Sequence, residues 1–150
     1  MKKTYISYDE MNGHILNIVR EMYADNFRPD YVVGIVRGGA VPALHISHLL
    51  DVSCKMINVK IAGNKEFHGF KFIVDEIVRH NKNILIIDDI NDTGKTLNDF
   101  KEKYGKHQDF KYAVLVDNAG SCFETDFAGH YINKLEVPDW IVFPWEVWWN

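Results

Sequence analysis

A doubly wound α/β domain with a mostly parallel sheet is the fold class this sequence predicts, and three observations predict it. Runs of apolar, largely β-branched residues recur at Tyr31–Val36, Ile84–Ile87 and Phe110–Val116, the composition of strands buried on both faces. Stretches with helical spacing separate these runs, as parallel crossovers require. Two of the runs end in a glycine-bearing turn that opens a helix, the place where open α/β sheets bind ligands.

The chain has 150 residues, 47% of them hydrophobic, which suits one domain spanning 1–150. A net charge of −4 argues against a nonspecific grip on nucleic acid. There is no leader-like or membrane-length apolar run, which points to the cytoplasm and away from a membrane. Cys54 and Cys122 make neither a spaced metal pattern nor a disulfide framework.

In order along the chain, Ser7 or Asp9 caps a first helix whose apolar face is Met11, Ile15, Ile18, Val19 and Met22. Pro29 breaks the chain before the Tyr31–Val36 strand. That strand delivers Arg37-Gly38-Gly39 and then a helix from about Val41 to Leu50. Backbone N–H groups converge on an anion site there, and an arginine adds a fork suited to phosphate oxygens. The competing reading is a tight turn needing two glycines, with Arg37 in solvent. His45 and His48 share a helix face but have no third ligand in register, so packing or solvation accounts for them. Cys54–Ile61 alternates toward a third strand, residues 62–69 form a loop bounded by glycines, and Ile73, Val74, Ile77 and Val78 suggest a short helix.

The chemistry concentrates after Ile84–Ile87. Asp88, Asp89 and Asp92 follow within five positions, then Thr93-Gly94-Lys95-Thr96, then a helix to Tyr104 that Gly105 stops. Backbone N–H groups at a helix N-terminus, two hydroxyls and an ammonium suit a phosphate monoester, and Gly94 permits close approach or positive φ. Ionised Asp88 and Asp89 only accept, so hydroxyl donors or a hard cation are their partners. A ribose 5-phosphate satisfies both halves. Three other readings compete: a plain N-cap at Asp92 or Thr93, a Walker A loop, and a receiver domain. Walker A needs a glycine where Asp89 stands, and a receiver needs its acidic run near the N-terminus.

Ile84 to Leu97 resembles, without a gap, the diphosphoribosyl-binding signature of type I phosphoribosyltransferases. The resemblance implies that Asp88 and Asp89 hold the ribose hydroxyls of phosphoribosyl diphosphate with Mg2+ beside them. Thr93, Gly94, Lys95 and Thr96 would wrap the 5-phosphate, and Arg37, Gly38 and Gly39 would meet the diphosphate through a cis peptide expected between Arg37 and Gly38. Asp92 would be the proton partner of N7 of a purine. The same likeness makes 62–69 a loop that closes over the reacting centre, with Lys65 or His68 reaching the diphosphate.

The tail is rich in tryptophan, with four in the last eleven residues. Asp139 to Glu146 resembles the C-terminal hood of small xanthine–guanine phosphoribosyltransferases, which makes Trp140 the stacking wall for a base and Ile141 the neighbouring carbonyl. The expected fold is thus the type I phosphoribosyltransferase fold with a small hood at 130–150. Trp148 and Trp149 read as an anchor or subunit contact. Relatives that act on 6-oxopurines usually carry a lysine at the end of the preceding strand, whereas this chain has Asp117-Asn118. Asn118 could donate through its amide, or Lys134 could reach in. The implied activity is magnesium-dependent transfer of phosphoribosyl to N9 of a purine base of the xanthine, guanine or hypoxanthine class, in a homo-oligomer. The alternatives are a non-catalytic sensor of phosphoribosyl diphosphate or a nucleotide, and a transferase for another base.

Overall fold

A short strand, β1 (Lys3–Tyr5), precedes a helix capped by Ser7. Ser7 Oγ accepts from the Glu10 N–H at 3.1 Å, and Glu10 Oε2 accepts from the Ser7 N–H at 2.8 Å. This reciprocal capping box opens α1 (Tyr8–Ala24), and the five apolar residues of its predicted face are all buried. The computed structural model describes residues 1–59, 67–68, 74–76, 79–105 and 110–149.

The elements that follow are β2 (Tyr31–Val36), α2 (Ala40–Leu50), β3 (Ser53–Val59), β4 (Phe67–His68), β5 (Ile84–Asn91), α3 (Lys95–Tyr104), β6 (Lys111–Asn118), β7 (Phe127–Ile132) and β8 (Trp140–Val142). A 3₁₀ helix over Pro144–Trp149 ends the chain. Residues 74–76 and 79–80 are also helical. The larger sheet has the order β4-β3-β2-β5-β6-β7, parallel throughout except for β4, which runs antiparallel to β3. The predicted loop at 62–69 lies outside the described residues apart from the β4 main chain, as do the side chains of Lys65, His68, Trp148 and Trp149.

Alternation along the strands divides the core in two. Val33, Ile35, Ile84, Ile86, Tyr112 and Val114 face Leu97 and Phe100 of α3. Val32, Leu85, Ile87, Ala113 and Leu115 face α1 and α2. Helices on both faces of a mostly parallel sheet make the doubly wound α/β architecture that the strand runs predict. No helix among the described residues is long and apolar enough to cross a membrane.

Three features differ from the sequence reading. The central strands are longer, because β5 stays paired through Asn91 and β6 through Asn118. Main-chain pairing is indifferent to side-chain polarity, so Asp88 and Asp89 lie within the strand and Asp92 just beyond it. β7 escapes apolar-run detection because it reads Phe-Ala-Gly-His-Tyr-Ile. A Cβ at Gly129 would come within 2.5 Å of His14 Cβ, so glycine marks the close approach of α1 to this strand. Finally, β8 pairs in parallel with β1 in a separate two-stranded sheet, placing Lys3 opposite Trp140. Thr4 Oγ1 donates to the buried Asp139 carboxylate at 2.6 Å and pins this sheet. Residues 130–132, assigned to the hood by the sequence, belong to β7.

Candidate active site

From β2 the chain crosses to β3 on one side, and β5 lies on the other, so the connections diverge between β2 and β5. The crevice this leaves at the carboxyl ends of the two strands is the topological switch point. Arg37-Gly38-Gly39 leaves β2 and Asp88 to Thr96 leaves β5, which brings the two predicted clusters together.

The β2 turn is closed by the Gly39 N–H donating to Ile35 O at 2.8 Å. Its cis peptide joins Val36 to Arg37, one residue earlier than the expected Arg37–Gly38 bond. Val36 is the last residue in register with β3, opposite Asn58, so the chain turns as soon as the ladder ends. A Cβ on Gly38 would overlap the Asp89 carboxylate, and one on Gly39 would overlap Ile87 O, so both glycines are required by contact across the crevice. Arg37 is exposed and lines a cavity of about 530 Å³ with Gly38, Asp89, Trp145 and Glu146.

Asp88 is only 9% exposed. Its Oδ1 accepts from the Asp89 N–H at 2.9 Å, and Asp89 Oδ1 accepts from the Ile90 N–H at 2.7 Å. Burial pushes Asp88 well above the ordinary carboxylate range, and the charge of Asp89 adds to the rise. Burial likewise pushes Asp89 up to about 6, opposed by the Ile90 hydrogen bond and reinforced by Glu146. Desolvation therefore outweighs the mutual repulsion of neighbouring carboxylates. Among the described residues no lysine or arginine pairs with either group. A buried and a half-buried carboxylate with no lysine or arginine partner among the described residues fit a hard divalent cation or hydroxyl donors.

In the adjoining loop Gly94 has φ 86°, the left-handed conformation open to glycine, and forms the N-cap of α3. Ser121 Oγ and Phe123 N back it, and the Cys122 N–H donates to Thr93 O at 3.1 Å, holding the loop from behind. Thr93, Lys95 and Thr96 are exposed on the open side, where residues 88–97 line a cavity of about 220 Å³. Lys95 Nζ lies 3.5 Å from Asp99 Oδ2, so its ammonium is turned along the helix and its main chain faces the loop.

At the far end Asp117 and Asn118 point to opposite faces of β6, as consecutive strand residues must. Asp117 is turned away, its Oδ1 accepting from Asn91 Nδ2 and its Oδ2 from Thr125 Oγ1, both at 2.7 Å. Asn118 is engaged with main chain. Its Nδ2 donates to Asp92 O at 2.9 Å, and its Oδ1 accepts from the N–H groups of Lys134 at 3.1 Å and Gly120 at 3.3 Å. Asn118, expected to contact the base, here ties Asp92 O to the main chain of Gly120 and Lys134. Lys134 Nζ reaches Asp92 Oδ2 at 2.8 Å and lies 5.9 Å from the Trp140 ring centroid. Trp140 is 53% exposed, and Ile141 is half-buried beside it.

The sequence reading missed Trp145, Glu146 and Asn91, and it held Lys134 only as an alternative. Glu146 Oε2 accepts from the Phe143 N–H at 2.9 Å across one turn, a spacing that marks a helix start and could have flagged it.

An acidic pair and a glycine–threonine loop stand at the switch point of a parallel sheet near an exposed tryptophan, an arrangement whose chemistry suits a phosphorylated sugar beside a flat ring. The chain belongs to the phosphoribosyl transferase domain family, which matches residues 2–150. It is similar to a xanthine-guanine phosphoribosyltransferase of Cereibacter sphaeroides, 32% identical over 120 residues that cover 77% of this chain and 68% of that one. It is similar in structure to a purine phosphoribosyltransferase from Pyrococcus horikoshii, with TM-score 0.75, 29% identity and coverage of 100% and 98% of the two chains. A Neisseria gonorrhoeae protein solved with bound ppGpp shares the fold at TM-score 0.77 and 21% identity, over 98% and 90% of the chains.

Proposed function

We propose that this chain transfers a 5-phosphoribosyl group from phosphoribosyl diphosphate to N9 of a purine base, releasing diphosphate. The observation that carries the reading is the meeting of the acidic pair, the Gly94 loop and the Arg37-Gly38-Gly39 turn in one crevice of a chain matched by the family over residues 2–150.

Asp88 and Asp89 accept from the ribose hydroxyls and put negative potential beside the sugar as it gains oxocarbenium character. The Thr93–Thr96 loop holds the 5-phosphate, and Arg37 with the Gly38 and Gly39 amides receives the departing diphosphate. The C1–oxygen bond breaks with its electron pair leaving on diphosphate, the C1–N9 bond forms, and Asp92 accepts the N7 proton. Trp140 stacks on the base. Asp88 and Asp89 are the residues to hold Mg2+, which when bound neutralises diphosphate charge.

The test incubates the protein with Mg2+, phosphoribosyl diphosphate and xanthine, guanine, hypoxanthine, adenine, uracil or orotate, with product read by mass. A purine nucleotide is expected. Donor binding without any nucleotide would overturn transfer in favour of a sensor, and a pyrimidine product would replace the base class.

A further inference from the structure

Thr93, Lys95 and Thr96 are exposed on the open side of their loop, so its shape has to be set from behind. The backing is the 121–123 segment between β6 and β7. The Cys122 N–H and Sγ both donate to Thr93 O, at 3.1 and 2.9 Å. Ser121 Oγ, Phe123 N and Cys122 Sγ all stand within 2.9 Å of where a Cβ on Gly94 would lie, so the backing presses directly on the Gly94 main chain. After the loop, Asn98 Nδ2 donates to Cys122 Sγ at 3.1 Å and to Cys122 O at 3.4 Å.

Before the loop stands Asn91, the last residue of β5 and only 1% exposed. So buried a position favours an apolar side chain, and an amide there is costly unless it is hydrogen-bonded. Asn91 uses both Nδ2 donors, on Asp117 Oδ1 at 2.7 Å and Phe123 O at 2.8 Å, and its Oδ1 accepts from Ser121 Oγ at 2.8 Å. These partners fix which way the amide faces, because a carboxylate and a carbonyl only accept. Ser121 Oγ in turn accepts from the Phe123 N–H at 3.1 Å, and Thr125 Oγ1 donates to Asp117 Oδ2 at 2.7 Å. One buried amide thus ties β5 and β6 to the segment on which the loop rests.

We infer that Asn91 is a positioning residue for the sugar phosphate: through Ser121 and Phe123 it holds the Thr93–Gly94 turn with its N–H groups already aimed at the anion. The inference rests on the proposed grip of the Thr93–Thr96 loop on a 5-phosphate. Asn91 itself touches no substrate. Main-chain N–H groups cannot re-aim one at a time, so a small shift of the backing weakens their joint hold on an anion. Leucine at position 91 keeps the branched shape and removes all three hydrogen bonds, which frees the backing to move under Gly94. The Arg37-Gly38-Gly39 turn on β2 receives none of the Asn91 hydrogen bonds and keeps its place.

The experiment titrates ribose 5-phosphate and, separately, diphosphate, each with Mg2+, into wild type, Asn91→Leu, the double variant Asn91→Leu with Asp117→Leu, and Ser121→Ala. Affinities are read by calorimetry, with melting temperatures alongside. Asn91→Leu is expected to weaken ribose 5-phosphate by about 10–100-fold, the effect of misplacing a contact by an ångström, with diphosphate affinity held within about threefold. The double variant removes the carboxylate that Asn91→Leu strands, so it is expected to regain melting temperature but not ribose 5-phosphate affinity. Ser121→Ala keeps the Asn91–Asp117 hydrogen bond and is expected to show a smaller loss of the same selectivity, which decides the matter if Asn91→Leu does not fold. Unchanged ribose 5-phosphate affinity, its recovery in the double variant, or an equal loss for both ligands overturns the positioning role. A selective loss in Asn91→Leu, in a protein that forms no nucleotide from phosphoribosyl diphosphate and any base, overturns the transfer reading and supports the positioning. Absence of ribose 5-phosphate binding by wild type overturns both.

Discussion

The bare α-carbon of Gly38 packs against the carboxylate of Asp89, joining the end of β2 to the acidic corner of β5. A methyl group there must displace the carboxylate or the turn. Gly38→Ala is expected to weaken phosphoribosyl diphosphate binding at least a hundredfold, measured by calorimetry, while costing about 1–3 kcal/mol of stability as overpacking does. Donor affinity unchanged from wild type would separate this turn from the donor site.

The burial that raises Asp88 and Asp89 gives pH two opposite effects. Both folded-state pKa values lie above the ordinary range, so their contribution to stability is full below about pH 4 and is lost as pH rises, for Asp89 through about 6. On the proposed function donor binding needs the ionised pair, so affinity is expected to fall toward acid pH. An Asp88→Asn, Asp89→Asn variant is expected to melt several degrees above wild type at pH 8 and to converge on it only below about pH 4. A Tm difference that widens toward acid would reverse the sign.

On the proposed mechanism Asp92 separates chemistry from donor binding. Asp92→Asn keeps the carbonyl that Asn118 holds and removes the acceptor for the base proton. A fall in kcat of about 10²–10⁴-fold is expected with donor affinity within threefold of wild type. Steady-state kinetics at saturating donor measure it, and near-normal turnover would exclude Asp92 from the reaction.

β1 gives a fourth prediction, because its pairing with β8 holds the strand that carries Trp140. Thr4→Val removes the donor to Asp139 Oδ2 and leaves Lys2, at 3.6 Å, as its remaining charged partner. The substitution is expected to cost about 1–3 kcal/mol and to raise KM for the base, with KM for the donor unchanged. An equal rise in both KM values would show that β1 supports the whole crevice instead.

Local patterns carried much of this. The cap at Ser7, the apolar runs of β2, β5 and β6, and the Asp-Thr-Gly-Lys-Thr turn all act over spacings of a few residues, where composition and periodicity dictate backbone behaviour. That is why the alternation of strands and helices and the two glycine-bearing turns at strand ends were legible before any coordinates. β7 was not, since its glycine answers to the approach of His14 from α1, a contact with no trace in local pattern.

By itself the sequence determined the architecture, the acidic pair and the glycine turn at Gly94, and it marked the candidate aromatic wall, because each is encoded in residues adjacent along the chain. Only the tertiary structure decided which way Asp117 and Asn118 point, that Lys134 arrives at Asp92, that Glu146 bears on Asp89, and that β1 completes the small sheet with β8. These outcomes depend on strand pleat and on pairing between segments far apart in sequence. Partners of that kind are chosen by the packed sheet and its burial, not by neighbouring residues.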